Sequence, residues 1–356
     1  MRELNIAIVG ITGIVGLQFL KGLEEQNIPV NHLYFFASKA SAGMKIPFKG
    51  REFVVEELTA HSFEGKAIDF SFFTAGAKIS AQYADLAAKT SIVIDNSTYR
   101  RMDPSTPLVV PEVNAHAMTD HPNFIACPNC STIQAVVALA PLHQKYGLKR
   151  VVVSTYQAVS GSGKLGIVDL LTGIEHTYEG VKALNGYLHQ KDMKVETVID
   201  GMQPAHDYDL ATYDHPIAFN VIPYIDKFEA NGYTREEMKV INETKKIMAL
   251  PEDFPITCTA VRVPVINVHS ESINIEFEKD FDLEELKAVL AQAPGIVLDE
   301  TPMPLNHSGK DPVAVGRIRR DFSVKSGINL FLLADNIRKG AATNALQIIQ
   351  ALTKEA

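Results

Sequence analysis

The sequence predicts an α/β chain in which a domain with a doubly wound parallel sheet precedes an α+β domain with a mixed sheet. In the first third, short apolar strands alternate with amphipathic helices, a pattern typical of a parallel sheet covered on both faces. Beyond about residue 150 the strand patterns become long and β-branched, which favours an antiparallel or mixed sheet. With 356 residues, of which 46% are hydrophobic, the chain is long enough for two or three domains with sizeable cores.

The first domain is predicted to span residues 1–129. Its strands are expected at 5–9, 33–37, 69–74 and 91–95, because each is a short apolar run bounded by turn residues. Helices are expected at 15–25 and 77–89, where apolar residues recur with a helical period.

The second domain is predicted to span residues 130–335. In chain order we expect a strand at 150–159, helical structure at 164–190, a loop-rich stretch at 191–233, a helix at 234–250, strand patterns over 258–277, a helix at 283–293 and a strand at 329–334. A final helix at 340–353 would pack back on the first domain, so that residues 336–356 complete it.

Composition excludes several classes of function. The formal net charge of -8 argues against nucleic acid or an anionic membrane as the main partner. The N-terminus runs straight into a strand without a signal-peptide pattern, and no apolar stretch approaches membrane-spanning length. Three cysteines fit a reducing compartment better than a disulfide scaffold. We therefore expect a cytoplasmic protein without a membrane partner.

A glycine-rich turn follows the first predicted strand directly and opens a helix. It reads Gly10-Ile11-Thr12-Gly13-Ile14-Val15-Gly16, with spacing G-x-x-G-x-x-G. Glycines in such a turn permit a close backbone approach to a pyrophosphate, which then meets the helix N-terminus. The pattern favours a Rossmann-type dinucleotide site over a strand–helix turn without a ligand.

The end of the second predicted strand indicates which dinucleotide binds. A fold specific for NAD usually places Asp or Glu there to hold the ribose hydroxyls. This chain instead has Ser38, Lys39 and Ser41, which suit a 2′-phosphate and favour NADP, although dual specificity remains open. Thr74-Ala75-Gly76 and Asn96, at later strand ends, lie where the cofactor would pass.

Cys130 is the candidate nucleophile. It stands in Ala126-Cys127-Pro128-Asn129-Cys130-Ser131-Thr132, immediately before an apolar run with helical character. A thiol at a helix N-terminus feels unpaired N–H groups and the positive end of the helix dipole, and both favour thiolate. Together with a nicotinamide site, this predicts interconversion of an aldehyde and an acyl phosphate through an enzyme thioester. The alternative is that Cys130 is a small buried hydrophobic residue.

Three further segments carry residues with chemical potential. Gln157 precedes the glycine-rich turn at Ser160-Gly161, and Glu243 and Lys246 are three apart, so they share a helix face. Arg262 and His269 belong to one strand pattern. Singly, these residues could be a surface ion pair, an interdomain salt bridge and a core histidine.

Taken together, these motifs resemble the aspartate-β-semialdehyde dehydrogenase family, and most closely the branch common in Gram-positive bacteria. The resemblance runs from the glycine turn through Val110-Pro111-Glu112-Val113-Asn114, Asn129-Cys130-Ser131-Thr132, Tyr156–Gly161 and Arg262–Ser272 to Asp335-Asn336 and Lys339–Ala342. It implies an NADP-dependent oxidoreductase of lysine, threonine and methionine biosynthesis, including diaminopimelate formation. It also implies a homodimer, or a tetramer of two dimers, with the middle-domain sheet at the interface.

The resemblance implies a role for each matching residue. Cys130 matches the nucleophile, His269 the acid–base residue, and Gln157 the residue that orients the acyl intermediate. The substrate-binding set comprises Arg262 for the α-carboxylate, Glu243 for the amine, Arg101 and Lys246 for phosphate, and Asn129 beside the thiol, with Arg100 as an alternative to Arg101. Ser160, Gly161 and Asn336 match cofactor-binding positions. No metal is implied.

The implied reaction is the reduction of L-β-aspartyl phosphate to L-aspartate 4-semialdehyde with release of phosphate. Its nearest rival is an N-acetyl-γ-glutamyl-phosphate reductase, which shares the thioester chemistry. The acetylated amine of that substrate would not need a carboxylate such as Glu243. A non-catalytic relative on the same scaffold is disfavoured because Cys130, Arg262 and His269 are all retained.

Two features of the sequence call for a structural explanation. Arg262 and His269 are seven apart, and an odd separation in a regular strand would place them on opposite faces. We therefore expect a bulge or bend between them, near Pro264. Cys127 and Cys130 form a C-x-x-C pair, for which dithiol redox or zinc chemistry is unlikely, and oxidation of the pair to a disulfide is a separate hypothesis.

Overall fold

A computed structural model describes residues 2–119, 123–184, 194–202 and 208–354 of the chain. Its strands are β1 (Leu4–Val9), β2 (Val30–Ala37), β3 (Lys45–Phe48), β4 (Arg51–Glu57), β5 (Phe70–Phe73), β6 (Ile92–Asp95), β7 (Phe124–Ala126), β8 (Leu148–Gln157), β9 (Ile256–Arg262), β10 (His269–Phe277), β11 (Ile296–Leu298), β12 (Val313–Arg320) and β13 (Gly327–Ala334). Its helices are α1 (Ile14–Glu25), α2 (Ala77–Ala87), α3 (Pro111–Asn114), α4 (Cys130–Tyr146), α5 (Gly163–Leu184), α6 (Val195–Met202), α7 (Arg235–Ile247), α8 (Leu283–Gln292), α9 (Pro304–His307) and α10 (Thr343–Lys354).

The first seven strands form one sheet in the order β3-β4-β2-β1-β5-β6-β7. All neighbouring pairs are parallel except β3 and β4. The chain leaves β1 for β2 on one side and later returns to β5 on the other, which creates a topological switch point at the carboxyl end of β1. The predicted doubly wound parallel sheet is confirmed, and its ligand-binding edge is the edge that carries the glycine turn.

The edge hairpin of β3 and β4 was not predicted. Its two-residue turn is Lys49-Gly50, and both residues have positive φ, 47° and 75°. Such a turn matches the twist of a β-hairpin. Only alternate residues of the hairpin are buried, so its apolar signal is weak in the sequence.

Helices cover both faces of the first sheet. On one face Phe19 of α1 stacks on Phe72 with ring centroids 4.2 Å apart, and Leu346 and Ile349 of α10 join the same cluster. On the other face Phe36 and Phe73 pack with Ala84 of α2. The C-terminal helix therefore packs on the first domain, as the sequence led us to expect.

The second sheet has the order β11-β12-β13-β10-β8-β9. Its outer pairs β11–β12 and β8–β9 are parallel, and the three pairs between them are antiparallel. The predicted mixed sheet is confirmed. Helix α4 lies against one face of it, where Val136 and Leu139 belong to the same core as Ile273 and Ile275.

The prediction of one strand pattern over 258–277 is wrong in a way that matters for the site. Residues 256–262 and 269–277 are separate strands, β9 and β10, on opposite sides of β8. Residues 263–268 cross the end of β8, where Val159 and Ser160 donate backbone hydrogen bonds to Val265 and Ile266. The expected interruption near Pro264 is thus a crossover between strands and not a bulge within one strand.

The middle of the chain differs from expectation mainly in its boundaries. Helix α5 covers most of the predicted helical stretch, and residues 185–190 lie outside the described residues. Within the predicted loop-rich stretch, α6 is an additional helix, whereas residues 191–193 and 203–207 are not described. Residues 208–233 are irregular, as predicted, and Asp169 of α5 fixes them by accepting backbone hydrogen bonds from Ala211, Thr212 and Tyr213.

A buried ion pair attaches the C-terminal segment to the rest of the molecule. Lys339 lies in a π-helical turn, Arg338–Ala342, and is 1% exposed. Its ammonium donates to both carboxylate oxygens of Glu112, at 2.8 and 2.7 Å, and to Gln347 at 2.7 Å. Breaking such a pair leaves a charge buried without its partner, which costs more than the pair itself contributes.

We expect Lys339→Met to lower the free energy of unfolding by about 3 kcal/mol, measured by urea denaturation, because Glu112 would remain buried without a cation. Adding Glu112→Gln should recover part of the loss. Lys149→Met, which breaks the exposed pair with Glu276, is the matched control and should cost less than about 1 kcal/mol. Strictly additive effects of the Lys339 and Glu112 changes would contradict this account.

Candidate active site

Cys130 is the first residue of α4, and Asn129 caps that helix. The Asn129 side-chain Oδ1 accepts from the backbone N–H groups of Ser131 and Thr132, at 3.0 and 3.4 Å. Its Nδ2 donates to Glu236 at 2.9 Å, and its backbone N–H donates to Glu243 at 2.6 Å. Every hydrogen-bonding edge of the cap is therefore engaged, and the thiol that follows it has a fixed position.

The expectation that the helix N-terminus makes Cys130 a ready thiolate is wrong for this arrangement. Burial raises the pKa of the Cys130 thiol to about 12, and the Glu236 carboxylate acts in the same direction, whereas Arg262 and Arg101 oppose it. The Asn129 side chain also occupies two of the N–H groups that could have stabilised a thiolate. The resting thiol is therefore protonated at neutral pH.

His269 begins β10 and is completely buried. The backbone N–H of Ala158 donates to its Nδ1 at 3.0 Å, so the proton of the neutral ring lies on Nε2. Burial and the neighbouring Arg262 lower the pKa of His269 to about 3. Within the described residues Nε2 has no hydrogen-bond partner, so a neutral imidazole offers one free N–H.

Arg262 and His269 lie in the same site despite their places on different strands. A Cβ added to Gly161 would come within 3.0 Å of His269 Nε2 and 3.1 Å of Arg262 Nη1, so both side chains border this glycine. Arg262 also donates to the Ala158 carbonyl at 2.8 Å and lies over the Tyr213 ring, 5.9 Å from its centroid. These residues line one end of a cleft of about 280 Å³.

Glu236 is a site residue that the sequence reasoning missed. Its Oε1 accepts from Asn129 Nδ2 and from Gln157 Nε2, at 2.9 and 3.1 Å, and its Oε2 is 2.9 Å from Lys239 Nζ. Burial opposes its ionisation, but Lys239 and the amide donors lower the pKa of Glu236 to about 2. Glu236 is thus an anion that holds the cap and Gln157 beside the thiol.

Lys239 was missed as well, and it borders a second cleft that also reaches Arg101. Its ammonium is paired with Glu236 and, at 3.0 Å, with Asp226. The cleft of about 290 Å³ is lined by Lys239, Arg101 and Glu243 among others. A basic residue of α7 therefore shares a concave surface with Arg101.

Arg101 occupies the site, and Arg100 does not. Arg101 is 6% exposed and donates to Glu243 at 3.1 Å and to the Asn96 carbonyl at 2.9 Å. Arg100 turns outward, where it pairs with Asp85 at 2.9 Å and lies over the Phe124 ring. The structure thus favours Arg101 over its neighbour as the basic residue of the site.

Lys246 has a structural role in the geometry observed. Its ammonium donates to the backbone carbonyls of Arg101, Asp103 and Thr106, at 2.7, 2.7 and 2.9 Å. An ammonium has three donors, so all of them are used. The sequence did contain a signal for the better candidate. Glu236 and Lys239 repeat the spacing of Glu243 and Lys246 two helical turns earlier, and therefore on the same face of α7.

The last described segment backs the thiol. A Cβ added to Gly340 would lie 2.8 Å from the Cys130 Cβ, so only glycine fits there without displacing Cys130. Just before it, Asn336 accepts from the Val268 N–H at 3.0 Å and exchanges hydrogen bonds with Ser160. Asn336 and Ser160, both assigned to the cofactor from the sequence, support the backbone next to His269.

The cofactor loop has the geometry that the sequence predicted. Gly10 has φ 91°, and a Cβ there would lie 3.0 Å from the Ala75 N. A Cβ on Gly16 would lie 2.5 Å from the Gly10 carbonyl oxygen. The loop borders a cleft of about 480 Å³ lined by Val9, Gly10, Thr12, Gly13, Ala37, Ser38, Leu58, Thr74, Ala75, Ile79 and Tyr83. This cleft lies at the switch point of the sheet.

Two lysines stand near this cleft. Lys39, in a short 3-10 turn after β2, is exposed next to Ser38 and Ser41. Lys164, at the start of α5 in the second domain, donates to the Thr12 carbonyl at 3.2 Å. Lys164 was not singled out in the sequence, because nothing in the local pattern reveals a contact between residues 152 positions apart.

Comparison with known proteins agrees with this geometry. The description "Semialdehyde dehydrogenase, NAD binding domain" matches residues 5–121, and "Semialdehyde dehydrogenase, dimerisation domain" matches residues 139–339. Aspartate-semialdehyde dehydrogenase of Bacillus subtilis is 45% identical over 99% of this chain and 98% of that protein. The enzyme of Aquifex aeolicus is 46% identical with the same coverage. The chain belongs to the aspartate-semialdehyde dehydrogenase family.

Solved structures of that family have the same fold. Aspartate semialdehyde dehydrogenase II of Vibrio cholerae, in its complex with ASA, covers 100% of this chain with 99% of its own length, at 40% identity and a TM-score of 0.87. The same protein in a second structure gives a TM-score of 0.85. The N-terminal domain is therefore a nicotinamide dinucleotide-binding domain, and the protein is an oxidoreductase of aspartate-derived amino-acid biosynthesis.

Two further findings concern the described residues alone. They contain no group of three or more His, Cys, Asp or Glu side chains that could hold a metal ion. None of their helices has both the length and the apolar composition needed to cross a membrane.

Proposed function

We propose that this protein reduces L-β-aspartyl phosphate to L-aspartate 4-semialdehyde with NADPH and releases phosphate. The observation that carries the proposal is the convergence of Cys130, His269 and Arg262 with the basic residues Arg101 and Lys239 at the junction of the dinucleotide domain and the second sheet. A thiol, a free N–H and separate cations for a carboxylate and a phosphate are what thioester chemistry on an acyl phosphate requires.

The proton balance follows from the high pKa of the thiol. As the Cys130 sulfur bonds to the acyl carbon, the carbon–oxygen bond to phosphate breaks, and the thiol proton leaves with phosphate as the hydrogen phosphate dianion. The bound cofactor supplies a hydride to the thioester carbonyl. Cys130 then departs from the reduced carbon as a thiolate, and a solvent proton restores the thiol.

His269 has a role that fits its protonation state. Its Nε2–H donates to the carbonyl oxygen, which becomes negative both when the thiol adds and when hydride arrives. The lowered pKa of about 3 supports hydrogen-bond donation over transfer of a full proton through an imidazolium. Gln157, fixed by Glu236, is the second amide donor near the thiol.

The substrate's charged groups find complementary partners. Arg262 binds the α-carboxylate, since its Nε has no partner among the described residues and its guanidinium borders the cleft near His269. Glu243 or Glu236 attracts the ammonium. Arg101 and Lys239 bind phosphate, with Lys239 taking the place that the sequence gave to Lys246.

The residues of the first domain suit a dinucleotide. The Gly10–Gly16 turn provides close backbone approach at the N-terminus of α1, and the buried Asn96 Oδ1, without a partner in the described chain, suits an N–H donor of the cofactor. Lys39, Ser38 and Ser41 suit the 2′-phosphate of NADP. Lys164 lies beside Thr12, where the pyrophosphate would pass.

A homodimer completes the proposal. The match to a dimerisation domain supports association through the second domain. The face of its sheet opposite α4 carries Tyr156, which is 39% exposed, beside Phe331. Such aromatic residues are typical of the buried centre of an interface.

The purified protein should reduce NADP with L-aspartate semialdehyde and phosphate, and Cys130→Ala should lower kcat/KM by ~10⁴-fold, because no thioester can form. The assay is NADPH absorbance, with N-acetyl-glutamate semialdehyde as the competing substrate. Preference for the acetylated substrate would transfer the assignment to the N-acetyl-γ-glutamyl-phosphate reductases. Activity retained in Cys130→Ala would refute the thioester.

Lys239→Gln should raise the KM for phosphate by ~10- to 100-fold, because it removes one charge-assisted contact. Lys246→Gln is the matched variant two helical turns away. It should lower the free energy of unfolding by about 1–3 kcal/mol, because three carbonyls lose their donor, and leave the phosphate KM within about twofold. The reverse pattern would restore the original assignment of Lys246.

Lys39→Ala should lower the affinity for NADPH by ~10-fold and leave that for NADH unchanged, since only NADPH carries the 2′-phosphate. Lys164→Met should weaken both by a similar factor, because both share the pyrophosphate. Titration of intrinsic fluorescence gives the Kd values without turnover. A selective effect of Lys164→Met, or equal losses in Lys39→Ala, would contradict these roles.

A further inference from the structure

A buried carboxyl and a buried amide face each other behind the active site. Glu271 on β10 is 0% exposed and Gln134 on α4 is 1% exposed. Gln134 Nε2 donates to Glu271 Oε1 at 2.8 Å. The other oxygen of each group, Glu271 Oε2 and Gln134 Oε1, has no hydrogen-bond partner in the part of the chain that the structure describes.

The surroundings of Glu271 supply no compensating cation. Thr155 of β8 and Leu332 of β13 are its cross-strand neighbours, and α4 contributes the neutral Gln134. The titratable group that also senses it is Cys258 of β9, a thiol whose own pKa burial raises. Burial likewise raises the pKa of Glu271 to about 8, and the Gln134 amide only partly offsets this.

We propose that Glu271 is a protonated carboxylic acid that forms two hydrogen bonds with the Gln134 amide, and that this pair positions the helix carrying Cys130 against the strand carrying His269. The acid O–H donates to the amide oxygen while the amide N–H donates to the acid carbonyl. Each orphaned oxygen thereby gains its partner. An ionised Glu271 would instead oppose two acceptors in a buried space, which is unfavourable.

The sequence spacing explains why this pair can act on the catalytic geometry. Gln134 follows Cys130 by four residues, which is about one turn along the same face of α4. Glu271 follows His269 by two residues, so both side chains point to the same face of β10. The pair thus connects the two elements one turn and one strand repeat from the reacting groups. Glu271 and Gln134 are positioning residues.

The first arm of the experiment is a pH profile of kcat. Wild type should lose activity with an apparent pKa near 8, as Glu271 ionises and the second hydrogen bond is lost. Glu271→Gln keeps an amide pair without a titrating group, so its kcat at pH 6.5 should stay within about twofold and this limb should disappear. Glu276→Gln, on the same strand, is the matched control and should keep the wild-type profile. An identical limb in Glu271→Gln would overturn the proposal.

The second arm does not depend on turnover. A carboxyl whose folded pKa is raised binds a proton that the unfolded chain has already released between about pH 4.5 and 8, so it makes folding less favourable as the pH rises through that window. The Tm advantage of Glu271→Gln over wild type should therefore grow between pH 5 and 8. An infrared difference spectrum should contain the C=O stretch of a protonated acid. A constant Tm difference and a carboxylate band would overturn the protonation.

Gln134→Ala tests the positioning role itself, which rests on the proposed roles of Cys130 and His269. It should lower kcat by about tenfold with little change in KM, because substrate contacts remain while the helix loses its register against β10. Unchanged kcat would overturn the positioning role even if the carboxyl proves neutral. If no variant or wild type turns over, the stability and infrared results still decide whether Glu271 is protonated, and the failure then belongs to the proposed function.

Discussion

The hydrogen bonds from Asn129 to α7 determine the position of the reactive thiol. Glu243 accepts the Asn129 backbone N–H and Glu236 accepts its side-chain amide, so two carboxylates of one helix hold the cap of another. A cap that engages both its backbone and its side chain cannot rotate without breaking buried bonds. Cys130, the next residue, inherits that fixed direction. The same carboxylates also hold Arg101 and Gln157, so the anchor of the thiol is also the anchor of its neighbours.

This arrangement has an electrostatic consequence. An acidic protein must bind an anionic substrate, and it does so with cations that are already paired with buried carboxylates. Glu236 raises the pKa of the thiol while Arg262 and Arg101 lower it, and burial outweighs both. The thiol is therefore protected from unspecific reaction until a substrate supplies both the electrophile and a group that takes the proton. Protection and reactivity then depend on one set of charges.

The sequence predicted those features that are local. A parallel sheet, a glycine turn and a cysteine at a helix start each follow from short patterns, and the structure has all three. The choice between two Glu-x-x-Lys pairs on α7 could not be made locally, because both lie on the same face and only the position of Asn129 distinguishes them. The crossover between β9 and β10 was hidden for a similar reason. Arg262 and His269 are brought together by β8 between them, a pairing that spans more than a hundred residues.

The return of the chain to the first domain explains why two glycines border the reacting groups. Lys339 is held by Glu112 and Arg338 by Asp311 and Glu25, so residue 340 has little freedom to move away from the thiol. A side chain there would press on Cys130, just as one at residue 161 would press on His269 and Arg262. Neither glycine has positive φ, so the constraint on both is space and not backbone conformation. The catalytic groups are thus enclosed by backbone from opposite sides, which leaves the open side to the substrate and the nicotinamide.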